Sequence, residues 1–302
     1  MARRDTRQAE RALLHAGSPL TGWGNLGWWP AGDRPAVSYP QANEALARLV
    51  GQAARLKRGA RVLSIACGAG EEIVLWIEGF GAASVLGLEH DAALVQIARQ
   101  RVAGLAASSR QRPAVEVRQS SAEVPEMLAA RDAAPDKAAF DAVVCIDAAY
   151  HLSPRGAWLE AMFARLAPGG RIAFTDLVVE TPADASSLVL RHAARWAGID
   201  LDEVLTLDDA ARRLAAAGFG QSACQRLDDA VLGGFARFVA RQRRAIGRRR
   251  WHPGWWRVEA TARLIPAARR AGLGYALFSA VKPIDGVVRP GDAARRPSRD
   301  AD

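Results

Sequence analysis

The feature that most constrains this chain is the run Val62-Leu63-Ser64-Ile65-Ala66-Cys67-Gly68-Ala69-Gly70, which leads directly into Glu71-Glu72. An apolar strand that ends in small residues and then opens a helix is the strand, turn and helix of an α/β unit. Its small residues let a ligand approach the backbone. The pattern around it alternates. A helix over about residues 41–56 comes first. The strand Val62–Ala66, a helix from Glu71, the strand Val85–Glu89, a helix N-capped by Asp91 and the short strand Val115–Val117 then make βαβαβ. A second set follows: Ala142–Ile146, a helix over Pro154–Leu166, the turn Pro168-Gly169-Gly170 and the strand Arg171–Thr175. Continuously apolar strands are buried on both faces, so the expected fold is an α/β, doubly wound, mostly parallel sheet. Ligands of such sheets bind at the carboxyl ends of the strands.

After Asp176 the chain turns more helical, with helices expected over Ser186–Ala197, Leu207–Ala217, Ala230–Arg243 and Val258–Ala271 before a last strand, Tyr275–Val281. This gives an N-terminal aromatic segment and helix over residues 1–58, a core over 59–283 with helical lid insertions near 181–200 and 230–272, and a disordered tail over 284–302. At 302 residues, half of them hydrophobic, the chain can bury one substantial core. Cys67, Cys145 and Cys224 lie far apart with no CxxC pair, so neither a disulfide framework nor a metal site is expected. The polar N-terminus has no apolar run of signal-peptide length, and a cytoplasmic location is expected.

The chemistry of the turn selects its ligand. A dinucleotide site needs a third glycine where this chain has Ile73, and Glu71 and Glu72 would repel a diphosphate at the helix start. A phosphate-free cofactor with a cationic head fits better, and S-adenosylmethionine is such a molecule. Glu89 ends the second strand, nineteen residues after Gly70, where a carboxylate can accept hydrogen bonds from both ribose hydroxyls. The plainer reading makes Gly68 and Gly70 an ordinary tight turn and Glu89 a solvated strand end.

Four ordered segments carry a family resemblance: VLSIACGAG, GLEHDAALVQIAR, FDAVVCIDAAYHL and RLAPGGRIAFTDL. Together they resemble the class I, Rossmann-like S-adenosylmethionine-dependent methyltransferases, in the small-molecule branch of sterol, tocopherol, phosphoethanolamine and natural-product enzymes. The resemblance spans about residues 20–283. It implies a seven-stranded sheet ordered 3-2-1-4-5-7-6 with an antiparallel last strand. It also implies cofactor contacts from Ala66, Cys67, Gly68 and Gly70 in the turn, from Glu89 and His90 after the second strand, and from Asp147 after the fourth. Two positions depart from the family's first motif: Ser64 stands for its aspartate and Ala66 for its first glycine. Ser64 is expected to offer one hydrogen bond to the methionine moiety, and Ala66 to hold a negative φ. Ser121-Ala122 stands where many members carry an aspartate near the adenine, and the serine hydroxyl is the expected contact there. Tyr39 followed by Gln41 matches a pattern in the segment that folds over the cofactor, where aromatic faces attract a sulfonium.

Methyl transfer is an in-line displacement, so catalysis comes from holding the acceptor close, aligned and away from water. Asp147-Ala148-Ala149-Tyr150-His151 falls beside the donor methyl. His151 is a candidate general base for a hydroxyl acceptor, or else a structural histidine capping the helix near Pro154. Tyr150 is a pocket wall or orienting hydroxyl, and Asp147 a cofactor contact. The sequence DAAY, in place of an NPPY-like motif, argues against a flipped-out base as substrate.

Arginines gather over residues 241–257 among Trp251, Trp255 and Trp256. A substrate lid is the leading reading of this segment, peripheral membrane contact the second and nucleic acid the third. The expected activity is methyl transfer to an O, N or C atom of a small, partly apolar metabolite. The alternatives are a non-catalytic module that kept the fold, and an RNA or DNA methyltransferase using the basic cluster. The oligomeric state is not assigned.

Overall fold

The computed structural model describes residues 10–30, 37–108, 113–120 and 140–284. Ser121, Ala122 and the expected tail beyond Ile284 lie outside them. The elements in chain order are α1 Tyr39–Ala53, β1 Arg61–Ile65, α2 Glu71–Val74 continued by a π-turn over Leu75–Gly79, β2 Ser84–Glu89, α3 Ala92–Ser108 and β3 Ala114–Gln119. After these come β4 Phe140–Cys145, a 3-10 turn at Ala149–His151, α4 Arg155–Arg165, β5 Leu166–Val179, α5 Leu188–Ala197 and α6 Leu207–Ala216. The last four are β6 Gly220–Arg226, α7 Gly234–Ala245, α8 Pro253–Arg270 and β7 Leu273–Val281.

The seven strands form one sheet in the order 3-2-1-4-5-7-6. Strands β1 to β5 pair in parallel, and β7 runs antiparallel to both β5 and β6. The side chains explain the layers. Val62 and Val144 face one side of the sheet with Leu46 and Val50 of α1 and with Trp76, while Leu63 and Val143 face the other with Trp158, Leu159 and Met162 of α4 and Leu214 of α6. Both faces are therefore dry, as continuously apolar strands require.

Three elements differ from the sequence expectation. Strand β6 reads Gly-Gln-Ser-Ala-Cys-Gln-Arg and lies almost wholly exposed. As a polar edge strand it has no apolar alternation to announce it. Strand β5 extends well past Thr175 and takes in Pro168-Gly169-Gly170, with Gly169 at φ +77° and the register against β4 shifting between Phe140 and Ala142. Helix α8 begins at Pro253 rather than Val258, because Pro253 sits in its first turn and His252 Nδ1 accepts the Gly254 N–H at 3.1 Å.

The N-terminal segment is clamped between the sheet and α7. Trp28 N donates to Ala42 O and Trp29 N to Ala230 O, each at 2.8 Å. The Trp29 indole stacks on Phe238 at 4.6 Å, and Tyr39 stacks on the same ring at 5.6 Å. Gln242 Nε2 reaches the carbonyls of Leu13 at 3.0 Å and Ala16 at 2.8 Å. The closest approach is at Gly234, where a Cβ would overlap Trp29 Cβ and the indole ring. Gly234→Ala should therefore displace Trp29 and destabilise the protein by about 1–3 kcal/mol in urea unfolding.

Candidate functional site

A cavity of about 260 Å³ opens at the carboxyl ends of β1 and β4. Its floor is Ala66 to Ala69, its walls include Glu71, Glu72, Leu94 and Ile146 to Ala148, and its roof is Gly22 to Asn25 with Arg11. The roof is fastened by two carboxylates. Gly22 N donates to Glu71 Oε1 at 2.6 Å, and Leu26 N donates to Asp147 Oδ2 at 2.7 Å. Arg101 braces the same corner by pairing with Glu71 at 2.9 Å and donating to the Ala69 carbonyl.

The turn itself is strained where the chain must bend over the sheet. Ala66 adopts φ +56°, contrary to the expected negative value. A left-handed alanine costs roughly 1–2 kcal/mol, and the hydrogen-bonded turn around it holds it there. Cys67 N donates to Leu88 O at 3.0 Å and Gly70 N to Cys67 O at 3.0 Å. Gly68 and Gly70 are also left-handed, at φ +56° and +83°, for different reasons. A Cβ on Gly70 would press against Ala98 of α3, whereas one on Gly68 would meet nothing within 4 Å. Gly68 thus keeps its backbone bare toward the cavity it lines, and Gly70 permits close helix packing.

Two carboxylates end up buried around this turn, and a third, Asp147, half-buried. Glu89 is 4% exposed, accepts from Gly68 N through Oε2 and from Asp91 N through Oε1 at 2.9 Å each, and meets the accessible His90 ring at 3.0 Å. Asp91 also accepts the Ala93 N–H at 2.8 Å, the N-cap expected of it. Asp147 stands at φ +52° with its N–H on Thr175 Oγ1 at 2.7 Å. Its Oδ1 takes the Tyr150 hydroxyl at 2.9 Å, and the Tyr275 hydroxyl lies 2.8 Å from both Oδ1 and Thr175 Oγ1. Burial pushes the Asp147 carboxyl up to about 6, against the pull of Tyr275, the Leu26 N–H and Tyr150. Glu72, 6% exposed, accepts the Ser64 hydroxyl, and Ser64 Oγ accepts Trp76 Nε1 at 3.1 Å. Burial drives the Glu72 carboxyl up to about 8; the Ser64 bond opposes this, and the charge of Glu89 adds to it.

Several expectations change in consequence. Ser64 is wholly buried and serves Glu72 rather than facing the cavity. Tyr39 does not line the cavity either; its hydroxyl donates to Asn25 O at 2.9 Å and so holds a residue that does. Trp23 is the aromatic of the roof, while Trp29 seals the core. Among the expected residues, Ala66, Cys67, Gly68 and Asp147 line the cavity directly. Burial pushes the Cys67 thiol up, so it is an inert wall. Tyr150 orients Asp147, and burial raises its hydroxyl pKa, which removes it as a base. His151 is accessible and packs against Tyr150 at 4.6 Å, with burial of part of its ring lowering its pKa below 6.5. Helix α4 starts at Pro154 without any side-chain cap, so His151 is not a capping residue. Arg11, Asn25, Glu72, Thr175 and Tyr275 are the site residues that motif reading missed. No group of three or more His, Cys, Asp or Glu among the described residues could hold a metal.

Glu72 gives a sign-definite prediction. Its folded pKa exceeds its unfolded value, so the folded state keeps a proton that the unfolded chain releases, and stability is lost as pH rises from about 4.5 to about 8. Glu72→Gln cannot ionise. Urea unfolding across that window should show the variant gaining stability relative to the parent as pH rises, most of it by pH 8.

A family model described as a methyltransferase domain matches residues 40–220, more than half of the chain. Erythromycin 3''-O-methyltransferase of Saccharopolyspora erythraea is 26% identical over 214 residues, covering 69% of this chain and 65% of the relative. The chain thus aligns with somewhat under two thirds of that protein's length. Among solved structures, a sarcosine dimethylglycine methyltransferase assigned in Galdieria sulphuraria superposes with a TM-score of 0.71 at 16% identity, over 91% of this chain and 98% of the other. Geranyl diphosphate C-methyltransferase of Streptomyces coelicolor, solved with S-adenosyl-L-homocysteine, gives 0.64 at 16% over 92% and 98%. The cyclase SpnF gives 0.64 at 21% over 94% and 97%. At these identities the superpositions establish the fold alone, and the sequence match over residues 40–220 establishes the rest: the chain belongs to the methyltransferase-domain family.

Proposed function

We propose that this protein is an S-adenosylmethionine-dependent methyltransferase that acts in the cytoplasm on an O, N or C atom of a small metabolite. The observation that carries the reading is the pair of acids in the cleft that have no basic partner among the described residues. Glu72 is buried and Asp147 half-buried, each against neutral donors, with no arginine or lysine bonded to either among the described residues. Such carboxylates favour a cation and disfavour a diphosphate. The bare backbone at Gly68 leaves room for the ligand, and Glu89, just behind it, keeps unused lone pairs for ribose hydroxyls.

When bound, the cofactor supplies a methyl group activated on a sulfonium. The chain's own residues do the rest. The roof at Gly22–Asn25 excludes water, with Trp23 offering an aromatic face to positive charge. Asp147, tied by Tyr150 and Tyr275, fixes the turn after β4. His151, neutral at pH 7, takes the proton of a hydroxyl acceptor. The erythromycin O-methyltransferase relative makes hydroxyl acceptors the first to try.

The basic segment weighs against a nucleic-acid substrate. Within it Arg243 is engaged with Glu259 at 2.9 Å and Trp255 is wholly buried, and the flanking Arg237, Arg263 and Arg269 are paired with Asp229 or Glu259. Trp251 and Trp256 stay 75% and 65% exposed near Arg248, Arg249 and Arg250, which favours peripheral contact with an anionic membrane as a second role for this surface.

Calorimetry should give micromolar binding of S-adenosylmethionine that is lost in Glu89→Ala, and the absence of binding would refute the reading. With labelled cofactor and cell extract, label should enter the small-molecule fraction; label in RNA or DNA would contradict it. His151→Ala should lower turnover on a hydroxyl acceptor by about a hundredfold. Unchanged turnover would remove His151 from the mechanism.

A further inference from the structure

Glu72 has no basic partner among the described residues. Its carboxylate is 6% exposed, lines the cavity, and has the Ser64 hydroxyl as its hydrogen-bond partner. The other ionisable groups acting on it or acted on by it, Glu89, Cys67 and Cys145, are acids, and both thiols are raised partly by its charge. A charged carboxylate in such a place is costly unless a cation completes it, so on its own Glu72 keeps a proton that a cationic ligand can replace. Arg11, from the helical turn at residues 10–14, lines the same cavity. The cavity therefore presents one buried acid and one guanidinium to whatever fills it.

That pairing is the complement of a zwitterion. Glu89 sits at the end of β2, toward the ribose side, and Asp147 to His151 lead away from the end of β4 toward the acceptor. The part of the cavity bounded by Glu72, Ala66, the roof and Arg11 is left for the amino-acid end of the cofactor. We propose that Glu72 and Arg11 are the recognition site for this end, Glu72 receiving the α-ammonium group and Arg11 the carboxylate. The inference rests on the cofactor reading above. It also explains Ser64: the position that carries aspartate in the family's motif holds a small hydroxyl here, because the negative charge has moved to the next helix and the serine orients it through the Trp76, Ser64 and Glu72 chain. The raised pKa of the empty site has the same origin and predicts that an ammonium ligand displaces a proton from Glu72.

The test compares two ligands that share the adenosine end. S-adenosylhomocysteine carries the amino-acid group and 5′-methylthioadenosine lacks it. Titration calorimetry on the full chain should show Glu72→Gln and Arg11→Ala each weakening S-adenosylhomocysteine by about tenfold or more, with methylthioadenosine changed less than about twofold. Ser64→Asp combined with Glu72→Gln should recover a good part of the loss. Titrations of the unaltered protein at pH 7 in two buffers of different ionisation heat should show proton release with S-adenosylhomocysteine and not with methylthioadenosine. Arg11 belongs to the roof rather than the core, so its variant provides a readout even if Glu72→Gln fails to fold. Equal loss for both ligands, or undiminished S-adenosylhomocysteine binding in both variants, would overturn the assignment. Failure of the unaltered protein to bind either ligand would overturn the cofactor reading beneath it.

Discussion

The acids gathered at the carboxyl ends of β1, β2 and β4 are the constraint on which the rest of this molecule depends. Glu72 and Glu89 are withdrawn from water and Asp147 is half-buried; they are held by a serine hydroxyl, backbone N–H groups and tyrosine hydroxyls, with the His90 ring beside Glu89. In a low-dielectric setting such charges are worth far more to a passing cation than surface carboxylates are, and far more costly when left alone. The surrounding architecture keeps them dry. Helix α7 pins Trp29 and the carbonyls of Leu13 and Ala16, the pinned segment roofs the cleft, and the roof is fastened to two of the cleft's own acids, Glu71 and Asp147. Roof and charge are thus one system. Removing water strengthens the electrostatics, and the electrostatics hold the roof.

Backbone strain collects at the same place. Ala66 after β1 and Asp147 after β4 are both non-glycine residues in the left-handed region, follow adjacent strands and line the cavity. Each is over-determined by neighbours: Ala66 by the turn bonds at Cys67 and Gly70, Asp147 by Thr175, Tyr275, Tyr150 and Leu26. Strain that survives only because its surroundings enforce it marks a position whose geometry matters. The π-turn at Leu75–Gly79 belongs with these features, since it carries the Trp76 whose indole N–H supports Ser64.

How much of this was legible in sequence follows from the range of the interactions. The strands Val62–Ala66 and Ala142–Ile146, the turn at Gly68 and Gly70, the Asp91 cap and the carboxylate at Glu89 are local patterns, and reading along the chain found them. Strand β6 was invisible because its polar residues lie on an exposed edge. Glu72 read, like Glu71, only as an acid that would repel a diphosphate, since nothing within a few residues distinguishes an acid that faces water from one folded under a turn. Tyr275 and Asp147 meet across 128 residues, and Tyr39 serves Asn25 rather than the ligand. Such contacts exist only once the sheet has brought its strand ends together. Even the departure at Ser64 reads differently in three dimensions, as one half of an exchange whose other half is Glu72.

The central claim is that this crevice holds a phosphate-free, positively charged sulfur cofactor with its amino-acid end over β1. A crystal grown with S-adenosylmethionine and a nicotinamide dinucleotide together tests it most directly. The account predicts density for S-adenosylmethionine alone, ribose on Glu89 and the α-ammonium group at Glu72. A dinucleotide across the crevice, with its pyrophosphate at the start of α2, would contradict it.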